Sequence, residues 1–241
     1  MAHVVPLTLA TTTPGEPEIF ASLQGEGPSA SLPCTFIRLS RCNLACAWCD
    51  TAYTWRFTGP GAFDRTSNQV VLAEPDAAAR IMALGGNRLV ITGGEPLLQS
   101  AALVRMLAAI GGHTIEIETN GTVAPPPALD ALVAQYNVSP KLRHSGNSVD
   151  LAQIPERLDW FAQLPKAYFK FVVSTPGDIA EVRKLQLRHG IASERLFVMP
   201  EGTDSPTLRR RLDWLAPLAA EQGWRVSDRL HIHMYGDTRG T

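Results

Sequence analysis

The sequence contains no long hydrophobic run and no excess of either charge. No apolar segment approaches the ~18 consecutive residues of a membrane-spanning helix. The first residues, MAHVVPLTLATTTPGEP, lack a basic n-region and have only a short apolar stretch, so we expect no secretory signal. Lys and Arg number 22 against 23 Asp and Glu, and the net charge of −1 argues against a broad basic surface for nucleic acid or anionic lipid.

Cysteine is also scarce. Four cysteines in 241 residues, three of them clustered, do not form the pattern of an extracellular disulfide framework. We therefore expect a cytoplasmic protein, because thiols stay reduced there. The composition, 45% hydrophobic and 19% charged, is that of an ordinary globular protein, and a domain of this size buries roughly 70% of its unfolded surface. We predict a single domain over residues 1–241, in which residues 1–15 form a loosely ordered extension.

Short β-branched or aromatic runs alternate with helical stretches from Thr35 onward. Parallel βαβ units produce this alternation. Pro75 suits the first position of a helix that Gly85 ends. Asp178 and Glu181 have the capping-box spacing at the start of a helix that Gly190 ends. The predicted strands are 35–39, 88–92, 114–118, 136–139, 168–173, 195–199 and, as a seventh candidate, 230–235.

The two faces of these strands differ in polarity. One phase holds apolar residues that can lie beneath covering helices; it consists of Ile37, Leu39, Leu89, Ile91, Ile115 and Ile117. The opposite phase carries Arg38, Thr92, Glu116, Glu118 and Lys170. A sheet covered on both faces would instead read as continuous hydrophobic runs. Because six or seven strands fall short of the eight in a closed barrel, we predict an α/β fold with a partial TIM-like barrel of about six parallel strands.

The cysteine cluster lies in the segment RCNLACAWCDT, residues 41–51. Cys42, Cys46 and Cys49 follow the first parallel strand by a few residues, at the strand end where barrel active sites lie. Structural zinc takes four ligands, and Cys34 could supply the fourth. A buried strand thiol is the better interpretation of Cys34, because cysteine is among the most often buried residues. Three thiolates suit a [4Fe–4S] cluster that leaves one iron open to a ligand from outside the protein.

These residues resemble the signature of radical S-adenosylmethionine enzymes. The shared features are the cysteine spacing, the aromatic Trp48 before the third cysteine, and the segment TGGEP, residues 92–96, at the end of the next strand. The resemblance implies that S-adenosylmethionine binds the open iron. It also implies that the reduced cluster cleaves this cofactor to a 5′-deoxyadenosyl radical, which abstracts a hydrogen atom.

Further segments resemble one family of that superfamily, the 7-carboxy-7-deazaguanine synthases. In chain order they are EIFASLQGEGP, TFIRLSRCNLACAWCDT, ITGGEPLLQ, IEIETNGT, NVSPKL, VMPEG and HIHMYGDTRG. The resemblance implies a lyase that converts 6-carboxy-5,6,7,8-tetrahydropterin to 7-carboxy-7-deazaguanine with loss of ammonia, a step toward queuosine and related 7-deazapurines. It also implies a homodimer and an electron donor such as flavodoxin. The alternatives are a glycyl-radical-enzyme activase acting on a partner protein and a non-catalytic zinc module.

The same resemblance implies roles for individual residues. Cys42, Cys46 and Cys49 hold the cluster, and Thr51 binds Mg²⁺. The contacts to S-adenosylmethionine come from Ala47, Trp48, Cys49, Gly94, Glu118, Asn120, Ser139, Pro140 and Lys141. The contacts to the pterin come from Leu23, Gln24, Gly25, Glu26, Arg38, Thr92 and His231. The chemistry agrees, because Arg38 offers a planar fork for a carboxylate, Glu26 can accept from a 2-amino pyrimidine edge, and Mg²⁺ needs few protein ligands.

Structural interpretations remain open beside these roles. The segment 24–27 could be a plain glycine-rich turn, and Arg38 could belong to a surface ion pair. Thr51 could cap a turn, while Glu118 and Asn120 could stabilise the turn in ETNGT rather than bind ribose. We interpret His233 as structural. The C-terminal GDTRGT is a candidate to close over the substrate.

Overall fold

Strands form the centre of the structure. In the computed structural model, which describes residues 5–241, they are β1 (Leu7–Thr13), β2 (Glu16–Pro17), β3 (Ile19–Leu23), β4 (Pro33–Leu39), β5 (Gln69–Leu72), β6 (Arg88–Gly93), β7 (Thr114–Thr119), β8 (Gln135–Val138), β9 (Ala167–Val173), β10 (Leu196–Pro200) and β11 (Arg225–Val226). The helices are α1 (Arg65–Asn68), α2 (Glu74–Leu84), α3 (Ser100–Ala109), α4 (Pro127–Asp130), α5 (Val149–Ala152), α6 (Pro155–Gln163), α7 (Asp178–His189), α8 (Ser205–Gln222) and α9 (Leu230–Tyr235). None of the helices in this described part is long and apolar enough to cross a membrane.

The strands belong to one open sheet. Its order is β11-β10-β9-β8-β7-β6-β4-β1-β2, with β3 paired to β4 and β5 paired to β1. From β4 to β11 all neighbouring strands are parallel, whereas β1 and β3 run antiparallel to β4. The six strands predicted between residues 35 and 199 are all present. The predicted partial barrel of about six parallel strands is therefore confirmed.

The apolar phase of the strands forms the core, as predicted. Ile37 lies beside Ile91 in register, and Ile91 lies beside Ile117. These three side chains are fully buried and pack with Ile81 of α2 and Leu103 of α3. Burying a side chain of this size contributes about 1.5–3 kcal/mol. The helices thus cover one face, and the polar face is left to line a cavity.

The expectation that residues 1–15 are loosely ordered is wrong for the part that the structure describes. Residues 7–13 form β1, which pairs with β4 through Leu9 and Leu39 and with β5 over four residue pairs. Leu7 and Leu9 are fully buried. The partners of β1 lie far along the chain, so the local pattern did not reveal the strand. Residues 1–4 of the predicted extension lie outside the described residues.

The seventh parallel strand is also not where the sequence predicted it. Residues 225–226 form β11 beside β10, whereas Leu230–Tyr235, the predicted strand, form helix α9. Only Ile232 of this helix is buried, and its first backbone N–H, from Leu230, donates to the Gly25 carbonyl at 3.0 Å. A single buried residue in a six-residue segment fits both the helical period of 3.6 residues and the strand period of two. The sequence pattern therefore could not distinguish helix from strand here.

The capping box predicted for α7 does not form, although the helix begins and ends as expected. Its N-cap is Gly177, and Gly190 ends it in the left-handed conformation, at φ 62°. Asp178 accepts hydrogen bonds from the backbone N–H groups that precede it, those of Ser174 and Thr175. Glu181 accepts from the backbone N–H of residue 143, far along the chain. The two carboxylates therefore hold loops against α7 instead of capping it.

Candidate active site

The cysteine loop lies directly after β4, at the C-terminal end of the parallel strands. Cys46 is buried, and Cys42 and Cys49 are half-buried in the same small apolar cluster, with Leu44. Every one of the three sulfurs has a nearby N–H donor. The donor–sulfur distances are 3.4 Å from Leu44 N to Cys42, 3.2 Å from Asn147 Nδ2 to Cys46 and 3.3 Å from Trp55 Nε1 to Cys49. N–H donors stabilise thiolate charge, so this environment suits sulfurs that bind metal.

Two glycines allow the next strand to pass close to this loop. A Cβ on Gly93 would lie 2.1 Å from the Leu39 carbonyl oxygen, and a Cβ on Gly94 would lie 2.0 Å from the Arg41 carbonyl oxygen. Gly93 also has φ +136°. This close approach allows a backbone hydrogen bond, in which Gly94 N donates to Leu39 O at 3.1 Å. The GG pair in TGGEP is therefore required by backbone packing against the cysteine loop.

Glu95 follows the glycines and is fully buried. Its carboxylate accepts from Leu97 N at 3.0 Å, Asn120 N at 2.7 Å and Thr119 Oγ1 at 2.9 Å. Burial raises the pKa of Glu95 to about 7, although the backbone N–H donors oppose the rise. The side chain connects the end of β6 to the end of β7. Its position therefore depends on neutral donors rather than on a cationic partner.

The donor set fits an iron–sulfur cluster better than a single ion. In the described residues, no three Cys, His, Asp or Glu side chains are close enough together to bind one metal ion. A [4Fe–4S] cube has a different requirement, since each thiolate binds its own iron. Burial raises the pKa of the Cys42 thiol to about 11 and also raises the pKa of Cys46, so these thiols need a metal to ionise them at neutral pH.

Cys34 lies apart from the three clustered thiols. It is buried on β4 and packs in a separate apolar cluster with Phe36, Val90 and Phe20. Burial raises its pKa to about 12. The interpretation of Cys34 as a packed strand thiol is confirmed. A four-thiol zinc site that includes Cys34 is not formed.

A cationic and aromatic group lies beside the thiols. The Lys141 ammonium donates to Ser139 Oγ at 2.9 Å and lies 5.5 Å from the centre of the Trp48 ring. Trp48 stacks on His144, with ring centroids 5.4 Å apart. The Trp48 indole Nε1 is buried and has no hydrogen-bond partner among residues 5–241. An unpaired buried donor of this kind is suited to a ligand acceptor.

A second part of the cavity wall contains Gln24, which is held by carboxylates from β7. Its amide nitrogen donates to Glu116 Oε1 at 2.8 Å and to Glu118 Oε1 at 3.3 Å, and its amide oxygen accepts from the backbone N–H of Glu26 at 3.2 Å. Glu118 also accepts from Thr92 Oγ1 at 2.8 Å. The amide of Gln24 therefore has one defined orientation in the cavity wall, which a plain surface turn would not impose.

Glu26 is at the centre of a cluster of charged side chains in this wall. Its Oε2 pairs with Lys170, and its Oε1 pairs with Arg229 Nε at 3.0 Å. His231 Nε2 lies 3.9 Å from the same carboxylate. Burial opposes the charge of Glu26, but Lys170 and Arg229 outweigh it and hold the pKa well below its usual range. Glu26 is therefore an ionised hydrogen-bond acceptor at any physiological pH.

Arg38 and Thr51 also line the cavity. Arg38 Nε donates to the fully buried Glu18 at 2.8 Å, and Tyr53 donates to the same carboxylate at 2.9 Å. The two terminal nitrogens of Arg38 make no hydrogen bond to any residue that the structure describes, and they remain available to an anion. Thr51 Oγ1 lies 3.7 Å from the Cys49 sulfur. Arg38 thus belongs to a mostly buried ion pair rather than to a surface pair.

One cavity brings nearly all of the predicted site residues together. Ala47 and Pro140 are the two that do not line it. Those that do are Leu23, Gln24, Gly25, Glu26, Arg38, Cys42, Cys46, Trp48, Cys49, Thr51, Thr92, Gly94, Glu118, Asn120, Ser139, Lys141 and His231. His233 instead bonds Asp228 and Ser205, consistent with a structural role. Asn120 bonds Thr122 and Asn43, so in this structure it stabilises the turn.

The sequence motifs did not identify several residues that line the cavity. Lys170 was placed on the polar phase of β9 without a role. Asp50 was quoted only as part of the segment 41–51, and Asp50, Glu18, Tyr53 and Arg229 were given no role. Lys170 had a usable signal, because a lysine at an inward position of an apolar strand needs an anionic partner. Arg229 had none, since it lies in a short polar loop and its partners are distant in sequence.

The tail also contacts the cavity. Residues 236–239 and Thr241 line it, and the Arg239 guanidinium lies 3.5 Å from the centre of the Tyr53 ring. Arg239 Nη1 donates to Asn68 Oδ1 at 2.9 Å. These contacts place the segment GDTRGT at the cavity rim. They are compatible with its predicted closure over a substrate.

Comparisons with known proteins identify the family of the chain. The family model of the radical SAM superfamily matches residues 36–140. A 7-carboxy-7-deazaguanine synthase from Pyrobaculum aerophilum is 37% identical, over 92% of this chain and 95% of the relative; one from Halobacterium salinarum is 34% identical, over 93% and 91%. The crystal structure of QueE from Escherichia coli aligns with a TM-score of 0.63 at 25% identity, over 93% of this chain and 95% of that one. From this identity and coverage, the chain belongs to the family of 7-carboxy-7-deazaguanine synthases, within the radical SAM superfamily.

Proposed function

We propose that the chain is a carbon–nitrogen lyase that converts 6-carboxy-5,6,7,8-tetrahydropterin to 7-carboxy-7-deazaguanine. The ring contraction releases ammonia and changes no net oxidation state. Family membership supports the reaction class and a small-molecule substrate. The activase alternative has no support in the relatives, which are synthases over nearly the whole chain.

The observation that carries the proposal is the composition of the cavity. The same cavity is lined by three thiols, by the ionised Glu26 and by the free terminal nitrogens of Arg38. A carboxylated pterin has a donor edge at its 2-amino pyrimidine ring and a carboxylate at the other end. Glu26 would accept hydrogen bonds from the donor edge, and Arg38 would bind the carboxylate as a planar fork. Gln24, Thr92 and His231 would contact the ring between them.

Cys42, Cys46 and Cys49 would hold a [4Fe–4S] cluster, and S-adenosylmethionine would bind beside it. When bound, this pair supplies a 5′-deoxyadenosyl radical for hydrogen abstraction. Lys141 and Ser139 would contact the cofactor carboxylate from the wall next to the thiols. The buried Trp48 indole N–H and the backbone of residues 47–49 and 94 would complete its binding site, with Glu118 and Asn120 at the ribose and Pro140 beside them.

Thr51 would bind Mg²⁺. One hydroxyl suffices if the substrate carboxylate and water provide the other ligands, as is common for this ion. Thr51 lines the same cavity as Arg38, and its hydroxyl lies 3.7 Å from the Cys49 sulfur, which supports this role. A cation there would orient the substrate carboxylate and neutralise its charge. A homodimer, a flavodoxin-like electron donor and a cytoplasmic location remain predictions.

The test is anaerobic turnover of the reconstituted protein with carboxytetrahydropterin, S-adenosylmethionine, Mg²⁺ and a working reductant. We expect 7-carboxy-7-deazaguanine by chromatography and mass spectrometry, and none from Cys46→Ser. The matched control is Cys34→Ala, which removes the fourth thiol and should retain both the iron content and the product. Absence of product from the wild-type chain with a full complement of iron would contradict the proposal.

A second measurement separates the synthase from the activase. Calorimetric titration of the carboxytetrahydropterin into the reconstituted protein should give saturable binding. Arg38→Ala should weaken this binding about tenfold or more, because a charge-assisted bidentate contact is lost. The activase predicts no pterin binding in either protein.

A further inference from the structure

Arg229 connects three separate segments around the cavity. Its side chain is only 8% exposed. The guanidinium pairs through Nε with Glu26, pairs through Nη2 with Asp50, and donates through Nη1 to the Gly202 carbonyl. Glu26 belongs to the connection between β3 and β4, and Asp50 directly follows Cys49. One planar group therefore links the segment that carries Glu26 to the cysteine loop.

We propose that Arg229 is a positioning residue that sets the distance between the bound pterin and the cysteine loop. The inference rests on the proposed function, because it assumes that the pterin edge is held by Glu26. Neither Glu26 nor Asp50 has a backbone hydrogen bond to the other segment. Within residues 5–241 the Arg229 guanidinium is the only side chain that hydrogen-bonds both carboxylates.

The other charged groups nearby cannot replace this link. Lys170 hydrogen-bonds Glu26 without hydrogen-bonding Asp50. His231 lies 3.4 Å from Arg229 Nη2, and burial lowers its pKa, so it is neutral near pH 7. Asp237 faces the group from the tail, and burial and Asp50 raise its pKa. A guanidinium also has the required geometry, because it binds two acceptors in fixed directions, whereas an ammonium is a point charge.

Loss of Arg229 should uncouple S-adenosylmethionine cleavage from substrate conversion, rather than only weaken the binding of the pterin. Hydrogen abstraction requires the reacting atoms at near-contact distance, and a displacement of ~1 Å can lower the rate ~10²-fold. If Arg229 sets that distance, its loss should leave S-adenosylmethionine cleavage running while less substrate is converted. The ratio of 5′-deoxyadenosine to deazaguanine should then rise. A residue that only stabilises the fold would lower both products together.

The experiment uses the full chain, anaerobically reconstituted to equal iron content. Arg229→Lys keeps the charge, and Arg229→Gln removes it. Asp50→Asn removes one end of the link and serves as a second variant if Arg229→Gln fails to fold. We expect kcat to fall ~10²-fold in Arg229→Lys, and the deoxyadenosine-to-product ratio to rise several-fold. Asp50→Asn should raise the same ratio, and adding it to Arg229→Lys should have little further effect.

The matched control is Arg195→Lys. Arg195 also donates three hydrogen bonds to carbonyl oxygens, of Leu164, Ala167 and Ala162, but it does not line the cavity. Arg195→Lys should lower the denaturation midpoint without changing the ratio of 5′-deoxyadenosine to deazaguanine. A readout independent of turnover is calorimetric binding of carboxytetrahydropterin, whose Kd should stay within about threefold in Arg229→Lys, because Glu26 keeps a cationic neighbour.

The outcomes separate the inference from the proposed function. If the wild-type chain makes no deazaguanine, the proposed function fails and the inference fails with it. If the wild-type chain is active and the ratio in Arg229→Lys equals that of Arg195→Lys, the inference alone is overturned. A raised ratio in both Arg229→Lys and Asp50→Asn, with pterin binding retained, supports it.

Discussion

Two parts of the cavity wall are held in place by different interactions. We call them the cysteine wall, residues 42–49 and 93–95, and the substrate wall, which contains Gln24, Glu26, Lys170, Arg229 and His231. The cysteine wall depends on backbone hydrogen bonds and on the close approach of Gly93 and Gly94 to the loop, and its buried Glu95 has only neutral donors. The substrate wall depends on ion pairs between distant side chains, with Glu26 between Lys170 and Arg229. The two buried carboxylates differ accordingly, because the pKa of Glu95 is raised and the pKa of Glu26 is lowered.

The cysteine wall thus depends mainly on the shape of the backbone, and the substrate wall depends mainly on charge. The cysteine wall must reproduce a fixed backbone geometry for a cluster whose size does not vary, and short-range steric contacts provide that geometry. In the proposed function, the substrate wall presents the ionised Glu26 to the pterin ring, and the buried cations Lys170 and Arg229 keep Glu26 ionised. We therefore expect the cysteine wall to be sensitive to added atoms and the substrate wall to be sensitive to removed charges.

The largest effect is expected from Gly94→Ala. The added Cβ would meet backbone atoms of the cysteine loop at 2.0 Å, and backbone cannot move aside as a flexible side chain can. The strain should exceed the roughly 1–3 kcal/mol of ordinary overpacking, and the loop should no longer assemble a cluster. Iron content and the visible absorbance after reconstitution report the loss. Gly111→Ala, which meets nothing within 4 Å, should bind iron normally.

The next effect tests the charge of the substrate wall through Lys170→Met. Removing one partner of a buried pair leaves charge uncompensated and typically destabilises by about 3–5 kcal/mol. Arg229 remains, so we expect the lower end of that range at pH 7 in denaturant unfolding. The double variant Lys170→Met with Glu26→Gln should recover much of the loss. Arg80→Met, which breaks an exposed pair with Glu16, should change the stability by less than about 1 kcal/mol. Equal losses in the two single variants would contradict the comparison.

These two walls also differ in how far they could be predicted. The cysteine wall comes from two short segments, residues 42–49 and 93–95, and each carries a local motif. The cysteine spacing and the GG pair therefore predicted its location, and the strand pattern predicted the barrel that supports it. The substrate wall is assembled across the chain: Arg229 lies 203 residues from Glu26 and 179 from Asp50. No local pattern encodes such a pairing. The same limitation explains β1, whose partners are β4 and β5, and α9, whose start depends on Gly25.

A pH titration sharpens the contrast between Glu95 and Glu26. Burial raises the pKa of Glu95 from 4.5 in the unfolded chain to about 7, so between these values the folded state binds the proton more tightly. Stability should therefore fall as the pH rises from about 4.5 to 7, by up to about 3 kcal/mol from this group. In the cluster-free protein, Glu95→Gln should remove that slope.

Glu26 should act in the opposite direction and at lower pH. Its folded pKa is lowered, so its contribution is present above about pH 4.5 and is lost only as the pH falls below that value. Glu26→Gln should therefore leave the slope between pH 5 and 7 unchanged, which makes it the control for Glu95→Gln. Identical slopes in the wild type and Glu95→Gln would show that the cysteine wall does not hold a carboxylate of raised pKa.

The smallest effect is expected where the C-terminal tail meets the substrate wall. Arg239 lies over the ring of Tyr53, and Tyr53 donates to Glu18, the partner of Arg38. Arg239→Ala removes a cation–π contact worth about 0.5–1 kcal/mol, so KM for the pterin should rise about two- to fivefold with kcat unchanged. Arg225→Ala removes a similar contact, with Phe197 at 4.3 Å, outside the cavity and should leave KM unchanged. If Arg239→Ala lowers kcat instead, the tail acts on the reacting geometry rather than on carboxylate binding, and it would then belong with Arg229 in the link between the walls.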